Sequence, residues 1–143
     1  VTFSGGNMVV PDAVSGWTVT IATTSDTLDE ANETATLTIG GTAGTLTITD
    51  DDAAPTITGT ASSTVTAGDP VVITYSPGLS GQTRTYTLAL TDGTAVGGTD
   101  YDNTTVTGDF AVTAGTGSVS ISGSTVTVDP GVTEFTLTIT TTA

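Results

Sequence analysis

Four stretches of this chain alternate between apolar residues and, mostly, threonine. They are Trp17-Thr18-Val19-Thr20-Ile21, Ala35-Thr36-Leu37-Thr38-Ile39, Tyr86-Thr87-Leu88-Ala89-Leu90 and Phe135-Thr136-Leu137-Thr138-Ile139. Period two is the period of a strand, because successive side chains leave opposite faces of the pleat, so each stretch predicts a half-buried strand. No helical period competes with it. Gly40-Gly41, Ser76-Pro77-Gly78, Asp92-Gly93, Gly97-Gly98 and Asp129-Pro130-Gly131 stand between the strands, each a turn signal. Threonine makes up roughly a quarter of the 143 residues, and β-branched side chains sit well on a pleated surface. With 36% hydrophobic and 11% charged residues, the chain has the composition of a folded all-β protein rather than a charge-solvated tail.

A second constraint is internal. Residues 1–25 align without a gap on residues 119–143, with about 10 of 25 positions identical and Trp17 opposite Phe135. The offset, about 118 residues, is the size of one β-sandwich domain, so the chain reads as one period plus a little, out of phase with the repeat. The boundary falls inside it, where Ile48-Thr49-Asp50-Asp51-Asp52 reads as a last strand with an acidic end and Ala53-Ala54-Pro55 as a short joint. Residues 1–54 are expected to be the closing half of one sandwich, and 55–143 the opening part of the next, lacking its last strands. Neighbouring copies of the repeat, in cis or as an end-to-end polymer, would complete them, since an unpaired sheet edge is a template for another strand.

Charge excludes several functions. Fifteen Asp and Glu face one basic side chain, Arg84, for a net charge of -14. Nucleic-acid binding needs several phosphate-neutralising cations, and one Arg cannot supply them. Without Cys or His there is no disulfide framework, no ordinary zinc site, and no Ser-His or Cys-His nucleophile. The carboxylates fall in turns rather than in an aromatic-lined cleft, so an enzyme is not expected. No apolar stretch approaches the ~20 residues of a membrane span, and no signal peptide is visible at Val1. These features read as a soluble piece without membrane insertion, either mature or cut from something longer.

The carboxylates cluster. Asp26, Asp29, Glu30 and Glu33 share one turn, Asp50, Asp51 and Asp52 close a strand, and Asp92, Asp100 and Asp102 surround a glycine-rich turn. Adjacent aspartates repel unless a cation neutralises them, and Ca²⁺ accepts six to eight oxygens in flexible geometry. An acidic run of this kind reads equally well as a solvated linker. Bland readings serve the remaining residues: Trp17 in the core with Val19 and Ile21, Arg84 at the surface beside a carboxylate, and Asn32 and Asn103 as formal glycosylation sequons.

Taken together, the turn Thr91-Asp92-Gly93-Thr94-Ala95 with Gly98-Thr99-Asp100-Tyr101, the segment Val128-Asp129-Pro130-Gly131, the run Glu30-Ala31-Asn32-Glu33-Thr34 after Asp26, and the ending Thr47-Ile48-Thr49-Asp50-Asp51-Asp52 resemble the Calx-beta pattern. The family order is recovered when the end of one unit is joined to the start of its neighbour, and it then covers nearly the whole period. The resemblance implies an immunoglobulin-like sandwich of antiparallel Greek-key sheets that binds Ca²⁺, as in the tandem arrays of large bacterial surface and adhesion proteins. It implies Asp50, Asp51 and Asp52 as ligands at the closing end, Asp26 with Asp29 or Glu30 from the adjacent loop, and Asp92 from the glycine-rich turn. Asp100 would fix that turn, with Tyr101 packed beneath it. Ala67-Gly68-Asp69 stands where the family often places an early Glu, and the acidic run before Asp26 is reduced to Thr24-Ser25. One or two Ca²⁺ per complete domain are therefore expected. Because Asp92 belongs to the second unit and the other ligands to the first, a full site needs a neighbouring repeat.

The expected function is a structural, extracellular, calcium-stiffened repeat of a surface adhesin or filament. The alternative is an adhesin module whose loops bind a glycan or a surface protein.

Overall fold

The computed structural model describes residues 1–60, 64–104 and 109–143, and within them the chain is all-β, with eleven strands in four antiparallel sheets. The best-packed part lies in the second half. One sheet holds β5 (Thr58–Gly59), β6 (Val71–Ser76), β11 (Val132–Ile139) and β8 (Phe110–Gly115), in that order. A second sheet holds β7 (Arg84–Thr87), β10 (Thr125–Val128) and β9 (Val119–Ser122), with β7 and β9 at its edges. Alternation, with a register shift in β11 between Val132 and Phe135, explains the core between them: Val126 and Val128 from β10 and Val132 and Phe135 from β11 are buried, with Tyr75, Tyr86, Phe110, Val112 and Ile121 packed against them. Phe135 stacks on Tyr75 with ring centroids 5.4 Å apart and meets Phe110 at 5.9 Å. Such aromatic pairs contribute about 0.5–1.5 kcal/mol each beyond the area they bury. Sheets sharing a core in this way form a sandwich-like arrangement.

The first half has two hairpins. β1 (Thr2–Ser4) pairs with β2 (Asn7–Val9), and β3 (Glu33–Ile39) pairs with β4 (Thr42–Ile48). Both turn through two glycines at positive φ, Gly5-Gly6 and Gly40-Gly41, as the tight hairpin turn demands. The register of β1–β2 coincides with that of β9–β10 under the 118-residue offset: Ser4↔Asn7 falls on Ser122↔Thr125, Phe3↔Met8 on Ile121↔Val126, and Thr2↔Val9 on Ser120↔Thr127.

Two expectations change. Residues 17–21 form no strand, and Trp17, expected in the core, is 41% exposed. Their counterparts, residues 135–139, lie in β11 between β6 and β8, whereas no strand among the described residues flanks 17–21. Alternation supplies a strand's faces but not its hydrogen-bonding neighbours. The expected strand at 86–90 is likewise regular only to Thr87. The sequon at Asn103 ends on Thr105, outside the described residues.

Candidate metal centre

The β3–β4 hairpin gathers the acidic residues. Its register places Glu33 opposite Ile48, so the segment entering β3 and the segment leaving β4 emerge at the same open end. Asp26, Glu30, Glu33, Asp50, Asp51 and Asp52 there line one hollow of about 270 Å³, together with Ser25 and Thr49. Two side chains shape its rim: Asp26 Oδ1 accepts from Leu28 N at 2.9 Å, and Asn32 Oδ1 accepts from Asp50 N at 3.0 Å.

The carboxylates feel one another. Partial desolvation raises Glu30 above its ordinary pKa of 4.5, and repulsion from Asp26, Glu33, Asp50 and Asp52 adds to it. Asp52 is raised above 3.8 by desolvation, then by Asp51, Asp50, Asp26 and Asp29. Six carboxylates in one hollow are a hard-oxygen donor set of the kind Ca²⁺ takes, and the hollow is large enough for a partly hydrated ion. Among the described residues, no three carboxylates converge tightly enough to form a ready-made cage. Binding would therefore draw these side chains inward, a motion that flexible Ca²⁺ coordination tolerates.

Asp29 goes elsewhere. It is 7% exposed, and its carboxylate points into the second half of the chain, where Oδ2 accepts from Ser80 Oγ at 2.5 Å and Oδ1 from Gln82 Nε2 at 3.2 Å. Its carbonyl accepts from Gly81 N at 2.9 Å, and Ser80 O in turn accepts from Gly131 N at 3.0 Å. Arg84, expected at the surface, is mostly buried: Nη1 lies 3.9 Å from Asp29 Oδ2, and Nη2 donates to Pro55 O. These contacts join Asp29, before the Ala-Ala-Pro joint, and Pro55 within it, to Arg84 at the start of β7 and to Ser80, Gly81 and Gln82 in the loop that precedes it. Polar side chains and one backbone hydrogen bond therefore latch the joint.

Asp92 also lies outside the hollow. Its Oδ1 accepts from Gly97 N at 2.9 Å and from Tyr101 Oη at 2.6 Å, and these bonds, Tyr101 first, hold its pKa below 3.8. Asp100 Oδ2 accepts from Val96 N at 2.8 Å. Both aspartates hold the glycine-rich turn in shape.

Of the seven residues expected as ligands, Asp26, Glu30, Asp50, Asp51 and Asp52 come together, while Asp29 and Asp92 do not join them. Glu33 is an additional member, and the sequence contained the signal for it: a two-residue turn at Gly40-Gly41 pairs positions summing to 81, which puts residue 33 against 48 and residue 30 level with 51. Set against protein-family models, curated proteins and solved structures, the chain gives no match.

Proposed function

We propose that the chain is a structural, extracellular calcium-binding repeat of a surface adhesin or filament, an immunoglobulin-like sandwich of Calx-beta type cut as residues 1–54 and 55–143. In this reading Ca²⁺ stiffens the joint between repeats, and a neighbouring repeat or subunit completes each sandwich. The observation that supports it is the convergence of six mutually repelling carboxylates at the open end of the β3–β4 hairpin, with the latching Asp29 in the same acidic loop.

Asp26, Glu30, Asp50, Asp51 and Asp52, with Glu33, would hold the cation, and Asp92 of a neighbouring repeat would complete the shell. The ion supplies charge neutralisation and cross-linking rather than catalysis. It would tie the entry to β3 to the exit from β4, three residues from Pro55 at the closest, and so fix the direction in which the next unit leaves. At free Ca²⁺ a hundredfold above Kd, mass action adds about 2.7 kcal/mol per site. The acidic surface keeps successive modules of an array from collapsing on one another.

Calorimetric titration and thermal melting in Ca²⁺, and in Mg²⁺ and Na⁺ at matched ionic strength, test the reading. Saturable heat and a Ca²⁺-selective rise in Tm are expected. Equal rises in all three salts without saturable heat would reduce the acidic cluster to a solvated linker.

A further inference from the structure

Among the described residues, the sandwich of the second half is open on one side. A hollow of about 230 Å³ lies against edge strand β7, lined by Tyr75, Tyr86, Leu88, Phe110, Phe135 and Leu137 among others. The 118-residue offset identifies what belongs over it. Phe135, Leu137 and Ile139 fall on Trp17, Val19 and Ile21, and in the first half those residues line hollows shared with Leu37 and Ile39 of β3. The face that borders the β3–β4 hairpin in one half borders, in the other, a hollow over which the described residues place no hairpin.

The hairpin suits the vacancy. Its register puts Ala35, Leu37, Ile39, Leu46 and Ile48 on one face, with Glu33 at the face's open end and Thr42 and Gly44 at the turn end, and mostly threonines on the other, while both strands are almost wholly exposed. Among the described residues, β3 has a free edge, as β7 does. Glu33 is the hairpin's one charged residue, and the hollow is lined by none. In a chain of net charge -14, these are surfaces on which two copies can meet without like charges facing each other.

We infer that the β7 edge and its hollow receive the Glu33–Ile48 hairpin of a second copy of this chain, with β3 added antiparallel to β7 and Leu37 and Ile39 laid over Phe135 and Leu137. The chain's own hairpin is poorly placed for this. At the joint Asp29 bridges Ser80 in parallel, four residues before β3 and β7 begin, whereas every ladder in the two sheets is antiparallel. A second copy arrives free of that tether, and repetition of the contact builds an end-to-end polymer by strand addition. This deepens the completion part of the proposed function and does not use the cation.

The test uses the full chain, which has no native Cys. Thr36→Cys carries a donor dye and Thr85→Cys, on a separate chain, an acceptor, mixed in EDTA and 150 mM NaCl from about 10 μM to about 1 mM, where weak interfaces populate. Energy transfer that rises with concentration, with sedimentation of dimers or longer species, is expected. Leu37→Asp in the donor-labelled chain should abolish it, and the same substitution in the acceptor-labelled chain should leave it intact. Any of three results overturns the inference: no transfer with a monomer throughout, loss in both placements, or concentration-independent transfer within one doubly labelled chain. Because EDTA is present, failure here leaves the calcium reading standing, and a failed calcium titration leaves this one.

Discussion

Asp29 illustrates how a side chain's neighbours, not its type, fix its role. In the sequence it is one carboxylate among four in a turn, yet the fold turns it away from the others and gives it Ser80, Gln82 and Arg84 as partners. Asp29→Ala would take away an acceptor of the buried Ser80 hydroxyl, the acceptor of the Gln82 amide and the counter-charge beside the Arg84 guanidinium, an expected loss of about 2–4 kcal/mol in urea unfolding. A change under about 0.5 kcal/mol, the level of an ordinary surface substitution, would mean that the latch bears no weight. Tyr86 presents the opposite case. Its hydroxyl is buried with no hydrogen-bond partner among the described residues, so Tyr86→Phe removes a desolvated polar group and keeps the ring. Unfolding stability should hold or rise by about 1 kcal/mol; a clear loss would reveal an acceptor that the buried hydroxyl reaches.

At the scale of elements, two acidic turns carry opposite titrations. Bonds from Tyr101 and Gly97 to Asp92 favour its charged form, so the stabilisation they give is present above the unfolded pKa and lost as pH falls through the lowered folded value. For Glu30 and Asp52 the folded values are raised, so protonation relieves the hairpin's open end; stability contributed there is fully present below the unfolded pKa and lost as pH rises through the folded one. Carboxyl NMR titration should find Asp92 below 3.8 and Glu30 above 4.5, with Tyr101→Phe moving Asp92 back up and leaving Glu30 alone. A Glu30 value at or below 4.5 would mean that neither desolvation nor the neighbouring carboxylates act on it at the hairpin's open end. Much of this level was legible beforehand. Glycine pairs marked the β3–β4 turn, alternation marked β3 and β11, and the acidic runs lay where the hairpin opens. Residues 17–21 misled because strand formation depends on flanking partners, which alternation does not encode. Asp29 and Arg84 misled because their pairing runs through Ser80 and Gln82, residues with no pattern of their own. Pro55 and Gly78 were legible as joint and turn but not as neighbours: Gly78 has φ +76°, and a Cβ there would fall 2.5 Å from Pro55 Cβ, a close approach that no local signal announces.

For the whole molecule, a net charge of -14 on 143 residues means that folding brings like charges together, and six carboxylates gather at the hairpin's open end. The double substitution Asp51→Asn with Asp52→Asn separates a site from a bystander because its effect should change sign with the cation. In EDTA at low salt it removes two charges from a self-repelling cluster, and Tm should rise by a few degrees. With Ca²⁺ a hundredfold above Kd the parent chain gains about 2.7 kcal/mol while the variant, short of two ligands, gains much less. The order of the two melting temperatures then reverses. A solvated acidic linker cannot produce that crossing, because Na⁺ and Ca²⁺ at equal ionic strength would screen it alike, and the variant would stay level with or above its parent throughout. Melts of the two chains across a Ca²⁺ series at constant ionic strength therefore decide whether the repulsion built into this hairpin is simply tolerated or is held ready for a counter-ion.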